Sequence, residues 1–214
     1  CLCLLTLLHI DVKAAVCENE TSTQGKEFWI AFIQNHDEEL IIPHGLDLII
    51  STNKTTDIRI ENNVLYDNKS EDGLYHWNIT MEANSTNVIT VPCQLFNPTE
   101  YGEAIDRTLH IKSTEPISVY MDNRQIKSDD ATLALPISSC GTYYIIQTAE
   151  GVIDSNYDTF KPSVFSVIAT ENNTTIQITP TTKTNDGHEA NIPYTITLHK
   201  GQLYQVQSVA TEIG

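Results

Sequence analysis

The chain reads as all-β. Three observations carry that reading. Apolar and polar residues alternate with period two in ten short stretches. No run longer than a few residues keeps the i, i+3, i+4, i+7 apolar spacing of an amphipathic helix. The intervals are filled by Asn, Asp, Gly, Ser and Pro, which supply turn chemistry. Many short strands with regular turns predict a sandwich-type or barrel-type β fold.

Taken in order, the chain opens on an apolar run from Cys1 to Ile10 that has signal-peptide length and is too short to span a bilayer. Val12-Lys13-Ala14 then places small residues at the −3 and −1 positions of a cleavage site. Residues 1–14 are therefore expected to be a secretory signal whose basic start lies outside the sequence, the rival reading being a buried N-terminal strand. Strands are expected at 46–50, 57–60, 77–81, 87–91, 116–121, 142–147, 164–170, 175–179, 194–198 and 202–207. All are rich in Ile, Val, Thr and Tyr, which suit a pleated, half-buried surface. Asp186-Gly187 is a hairpin signal. Phe28, Trp29 and Tyr144 are expected in the core, as aromatics that alternate with aliphatics usually are.

The blocks repeat. Phe28-Trp29-Ile30-Ala31 returns as Tyr143-Tyr144-Ile145-Ile146, an offset of 115. Ile49-Ile50-Ser51-Thr52, a polar tip and Thr56-Asp57-Ile58-Arg59-Ile60 return at 118 as Val167-Ile168-Ala169-Thr170, a polar tip and Thr174-Thr175-Ile176-Gln177-Ile178. Ile79-Thr80-Met81 returns as Ile196-Thr197-Leu198 at 117, and Ile89-Thr90-Val91 more loosely as Tyr204-Gln205-Val206 at 115. The fold expected is thus two related β-sandwich-like units from an internal repeat of about 117 residues, 15–124 and 125–214. The second is expected to be truncated, because the counterpart of the stretch from Lys112 to Tyr120 falls past Gly214.

The net charge is −16, with 40% hydrophobic and 19% charged residues. Such a chain is globular in composition. It is a poor ligand for nucleic-acid phosphates or anionic membranes, which need Lys and Arg. Asn19, Asn53, Asn68, Asn78, Asn84, Asn172 and Asn173 each open an Asn-x-Ser/Thr triplet, seven acceptors that agree with export. Beyond the leader stand Cys17, Cys93 and Cys140, with no CxxC or Cys/His spacing for zinc or redox work. A Cys93–Cys140 disulfide is expected because both follow a strand end near Pro92 or Pro136. Cys17 is then left for a partner beyond Gly214 or on another chain; sequence alone leaves the connectivity open.

The string Gly25-Lys26-Glu27-Phe28-Trp29-Ile30-Ala31-Phe32 resembles the opening of the IgG-Fc-binding protein N-terminal domain family. The resemblance continues through the stretch from Ile117 to Gln125, from Asp130 to Pro136, from Gly141 to Ile145, from Ser166 to Pro180 and from Leu198 to Ser208. It covers roughly residues 25–208, and the blocks match in order and spacing. It implies a secreted, extracellular module of mucus-associated and cell-surface proteins, found also on some bacteria, that often precedes other extracellular modules. The family is named for binding immunoglobulin Fc and has no established catalytic residues to carry over.

Candidate chemistry is sparse. Asp122, Asp129 and Asp130 crowd a strand end with Asn123 and Arg124, where oxygen ligands for calcium compete with a solvated turn; the spacing is not that of an EF-hand. Glu150, Asp154, Asp158 and Glu171 offer carboxylates for a hydrolase, but no spacing singles out a pair. Ser138-Ser139-Cys140-Gly141 lacks a nucleophile elbow. His188-Glu189 lacks the second histidine of a zinc motif, since Ile192 stands there. The reading is a secreted binding or adhesion module without enzyme activity, cofactor or metal. Its partner is expected to be an extracellular protein or glycoprotein, such as a mucus component or microbial surface, met through β-edges and loop tips bare of glycan; no nucleic acid and no membrane insertion of the mature chain are expected. A spacer without its own ligand is the alternative, and a glycan-active hydrolase the remote one.

Overall fold

A computed structural model describes residues 22–34, 45–65, 74–92, 96–124, 129–148, 151–154 and 159–209. The chain is built of strands: β1 (Gly25–Ile30), β2 (Gly45–Thr52), β3 (Thr56–Leu65), β4 (Leu74–Met81), β5 (Ser85–Val91), β6 (Ala104–Ile105), β7 (Leu109–Arg124) and β8 (Asp129–Ala134). They are followed by β9 (Val152–Asp154), β10 (Thr159–Lys161), β11 (Val164–Ile168), β12 (Thr174–Ile178), β13 (Tyr194–Leu198) and β14 (Leu203–Gln207). Nine of the ten expected stretches lie on strands, and the fold is all-β.

The exception is 142–147, which forms no strand; Tyr143 is 83% and Ile145 87% exposed. Tyr144, expected in the core, is 59% exposed, whereas Phe28 is fully buried and Trp29 half-buried. Alternation marks a segment able to pair; it does not supply the partner, and among the described residues no strand pairs with 142–147.

β7 organises the larger sheet, whose order is β4-β3-β7-β2-β5 with β1 and β8 also on β7. Its first half lies between β1 and β3, from Trp29↔His110 to Ile58↔Ser113. Its second half lies between β2 and β8, from Ile117↔Thr52 to Arg124↔Asp129. Residues of one parity along β7, Leu109, Ile111, Ile117 and Val119, enter a single core with Phe28, Ile30, Leu46, Leu48, Ile50, Ile58 and Ile60. Each such aliphatic side chain, taken fully out of water, contributes about 1.5–3 kcal/mol.

Where β7 passes from one set of partners to the other, its ladder must break, and buried backbone groups there need substitutes. Pro116 brings no N–H to the break. The N–H of Glu115 donates to Thr56 Oγ1 at 3.0 Å, and the N–H of Asp57 donates to Thr114 Oγ1 at 3.0 Å. The two hydroxyls meet at 3.1 Å. Thr56 is buried, so water cannot take over its role.

The remaining strands form a 3-stranded sheet, β11-β14-β6, and two pairs, β12-β13 and β9-β10. Ala169, Ile178, Leu198, Tyr204 and Val206 make a second core, with Phe165, Ile176, Tyr194 and Ile196 packed against it. The sheets do not follow chain order: β8 joins the large sheet, and β6, from before β7, pairs with β14. β14 is buried on both faces. Gln205, on the face opposite the second core, accepts from the Gln34 N–H at 3.0 Å and donates to the Glu100 carbonyl at 3.1 Å.

Thr56→Val keeps the shape of the side chain and strands the Glu115 N–H. We expect a loss of about 1–3 kcal/mol in urea unfolding, with Thr56→Ser losing much less. Equal losses for both variants would show that the methyl packing, not the hydroxyl, holds the break.

Candidate binding surface

The two outer faces of the large sheet differ in chemistry, and the difference is set by which residues alternate outward. Over β1, β7, β3 and β4 the outward rows are Glu27–Lys112–Arg59–Asn78 and Trp29–His110–Glu61–His76. An open depression of about 390 Å³ lies on this face, lined by Asp57, Arg59, Asn78, Thr80 and Lys112 among others. Asn78 is exposed within it, so a glycan there would occupy the depression.

Over β5, β2, β7 and β8 one outward row is apolar from edge to edge: Val88, Ile49, Tyr120 and Leu133, paired in register. Val88 is 58% and Tyr120 45% exposed, while Ile49 and Leu133 are half-buried. On one side runs a hydroxyl row, Thr86–Ser51–Ser118, with a hydrogen bond of 2.9 Å between Thr86 and Ser51. On the other side the Thr90 hydroxyl donates to Asp47 Oδ1 at 2.6 Å, and the Arg124 guanidinium donates to Asp47 Oδ2. Burial and the neighbouring Asp129 raise the Asp122 carboxyl above its ordinary value. An aliphatic–aromatic stripe with a polar rim is the anatomy of a protein-binding patch.

The acidic residues singled out from sequence are divided by the fold. Asp122 and Asp129 flank Arg124, while Asp130 is exposed on β8 opposite Asn123. Among the described residues no three carboxylate, imidazole or thiol groups stand together to hold a metal. Glu150 and Asp158 lie outside the described residues, and Glu171 is exposed on the turn before β12. Cys140 is exposed next to Ser139, whose hydroxyl donates to the Ser22 carbonyl at 2.6 Å; Cys93 lies outside the described residues.

Of the glycan acceptors, Asn19 and Asn68 lie outside the described residues, and the other five are exposed. Asn53 and Asn84 sit on the turns after β2 and before β5, at one end of the large sheet. Asn84 and Asn173 adopt left-handed backbone, with φ of 58° and 57°. That conformation suits Asn at a tight turn. The Val88–Ile49–Tyr120–Leu133 row lies three residue pairs in from the Thr52↔Ser85 end, about 10 Å along the strands.

Where the second core meets the large sheet, Trp29 stacks on His110 with ring centroids 4.1 Å apart. Gly201 closes over the indole: at φ +82° it carries no Cβ, and one would stand 2.7 Å from the ring. Thr108 Oγ1 donates to the Gly201 carbonyl at 2.5 Å. Glu27 meets His110 Nε2 at 2.8 Å and Glu61 meets Nδ1 at 3.4 Å. Burial, helped by the Lys112 charge, outweighs both carboxylates and holds the imidazole below its ordinary value. His110 in turn holds Glu27 below the usual carboxylate range, with Lys112 and Lys200 adding to the effect. A second group, unflagged by sequence, centres on Asp186, which accepts from Tyr204 at 2.6 Å beside His188 stacked on Tyr194 at 3.5 Å. Burial pushes the Asp186 carboxyl up, but the Thr184 and Tyr204 hydroxyls and His188 outweigh it and hold it low. Burial lifts Tyr194 to about 12, with the Asp186 charge adding to the effect.

An all-β chain with an exposed apolar row between polar ones has the make-up of a binding-type module. Residues 130–214 match the family model described as IgGFc binding protein, a family of binding proteins rather than enzymes and extracellular in general. The match covers less than half of the chain and overlaps the C-terminal part of the resemblance read from sequence. No curated protein and no solved structure matches the chain. Among the described residues no helix is long and apolar enough to cross a membrane.

The His110 and Glu27 shifts have the same sign for stability. His110 favours the neutral form when folded, so its contribution is full above the unfolded value near 6.5 and falls as pH drops below it. Glu27 adds a loss at lower pH, below its ordinary 4.5. The melting temperature should therefore fall between pH 7 and 5.5, and His110→Gln should flatten that slope. An unchanged slope in the variant would place the acid sensitivity elsewhere.

Proposed function

We propose that this chain is a secreted extracellular adhesion module that meets glycoprotein partners, such as mucus components or microbial surface proteins, through the outer face of β5, β2, β7 and β8. The observation that carries the reading is the Val88–Ile49–Tyr120–Leu133 row, an apolar patch with an aromatic anchor and a polar rim. The placement of Asn53, Asn84 and Asn78 supports it, because glycans on them would cover one end and the opposite face and leave the row bare. Residues 1–14 serve as the export signal in this reading. Immunoglobulin Fc binding, which the family description names, is one candidate activity to test.

The module is built of two related units, 15–124 and 125–214, and the pairing pattern supports this. β2 pairs with β5 and β3 with β4; β11 pairs with β14 and β12 with β13. The register corresponds in one of the two, where Ile58↔Ile79 answers to Ile176↔Ile196; in the other, Ile168 pairs with Leu203, one residue past the Gln202 that answers to Asn87.

Binding of the secreted chain to immobilised mucin and to IgG Fc tests the function. The double variant Val88→Glu with Tyr120→Glu should weaken mucin binding at least tenfold at unchanged melting temperature. Full binding by that variant would move the site away from the row. Binding by neither form to either surface would favour a spacer without its own ligand.

The Cys93–Cys140 disulfide is proposed as the staple between the two units. Non-reducing peptide mapping should yield that linked pair. A Cys17–Cys140 pair, in keeping with the contact between Ser139 and Ser22, or two alkylated thiols, would overturn it.

A further inference from the structure

Of the five glycan acceptors among the described residues, four stand on turns and Asn78 stands inside a strand, β4. Its side chain points out of the sheet, directly opposite Arg59 on β3, and Arg59 in turn is opposite Lys112 on β7. A sugar on Asn78 therefore starts over the face of the sheet, whereas one on a turn starts beyond the sheet's end. Neighbouring strands lie about 4.8 Å apart, so Lys112 is about 10 Å across from Asn78. The depression of about 390 Å³ covers this span, with Asp57, Thr80 and Thr114 on its flank. Its size falls in the range of small-ligand sites. The side chains around it are hydrogen-bonding groups of both kinds. Arg59 and Lys112 only donate, while the Thr80 hydroxyl donates to Asp57 Oδ1 at 2.7 Å and the second Asp57 oxygen is a further acceptor.

We infer that this depression seats the first two N-acetylglucosamine residues of a glycan on Asn78. That glycan lies down on the sheet as part of the fold, while those on Asn53, Asn84, Asn172 and Asn173 extend into solvent. The inference rests on the export reading above. Each such sugar carries an acetamido carbonyl that accepts hydrogen bonds and ring hydroxyls that donate them. The carbonyls meet the donors of Arg59 and Lys112 along the row, and the hydroxyls meet Asp57. The charge pattern favours a neutral saccharide over a free ion. Glu27 and Lys112 are opposite one another, Asp57 and Glu61 flank Arg59 on β3, and neither sign prevails on the face. Hydrogen bonds of this kind gain little over those made to water. Covalent attachment offsets that weakness, because a tethered sugar acts at an effective concentration near millimolar.

The test takes the chain secreted by a eukaryotic host, treats it in the native state with a peptide N-glycosidase and follows each acceptor by mass spectrometry. Release at Asn78 should be at least tenfold slower than at Asn53 and Asn84, and the rates should become equal once the chain is unfolded. Arg59→Ala with Lys112→Ala removes two exposed side chains and should cut the native difference at least threefold. Lys112→Ala alone, which keeps the Arg59–Glu61 ion pair, should cut it in part and stands in if the double variant does not fold. Release at Asn78 as fast as at Asn53 would overturn the inference. Slow release that both variants leave unchanged would also overturn it, because the strand alone would then shield the linkage. An unmodified Asn78 beside glycosylated Asn53 and Asn84 would overturn it as well. A secreted chain without glycan at any acceptor would instead remove the glycoprotein reading on which it rests.

Discussion

Everything in the larger half of this protein depends on one strand being shared between two sets of partners. β7 offers backbone groups on both edges along sixteen residues, and four other strands pair with it directly. No single flat sheet can use such a strand that way and still enclose a core. The exchange of partners at Thr114–Pro116 allows it, and the exchange is held by side-chain hydroxyls standing in for ladder bonds. Two threonines from distant parts of the sequence thus decide whether the inward faces of β3 and β2 reach the same core. The cost of an unmade buried hydrogen bond exceeds the modest net gain of a made one, so this corner is a place where small changes matter.

The same strand explains the contrast between the outer faces. Once Leu109, Ile111, Ile117 and Val119 are committed inward, His110, Lys112, Ser118 and Tyr120 must point outward. On the first half of β7 the outward residues meet Glu27, Arg59 and Glu61. On the second half Tyr120 meets Ile49 and Leu133. Charge on one face and an apolar row on the other therefore follow from a single alternation read against different neighbours. At the joint with the second core, the charged face is closed by Trp29 and Gly201, and a buried imidazole is kept neutral between two carboxylates.

Much of the fold was legible, because alternation is a local property and nine stretches carried it without ambiguity. What was not legible depended on partners. The 142–147 stretch alternates as a strand does, yet among the described residues no strand pairs with it. The full length of β7 was hidden because its ends, Leu109-His110-Ile111 and Asn123-Arg124, flank polar residues that read as loop. β8 was missed since Asp129-Asp130 looks like turn chemistry, and it is a strand only because β7 offers an edge. The apolar row was out of reach for a related reason. Val88, Ile49, Tyr120 and Leu133 come from four strands, and only the register brings them side by side. The aspartates drew notice as a cluster in sequence, yet their place is as a polar rim, with Arg124 spanning Asp47 and Asp122.

The joint between the two halves follows a different logic from either core. The side chains of Gln34, Gln205 and Gln207 meet there with the Gln34 N–H and the Glu100 carbonyl, and Gln205 is fully buried. An amide offers donors and an acceptor in one plane, so it can satisfy loop backbone groups that no regular ladder reaches. An aliphatic side chain at the same place would bury more apolar area and leave those backbone groups unpaired. A joint built on glutamine is therefore specific in orientation before it is strong. Orientation is what this joint supplies: the Gln205 amide holds the Gln34 N–H and the Glu100 carbonyl at once, and so fixes how β14 meets the segments that follow β1 and precede β6.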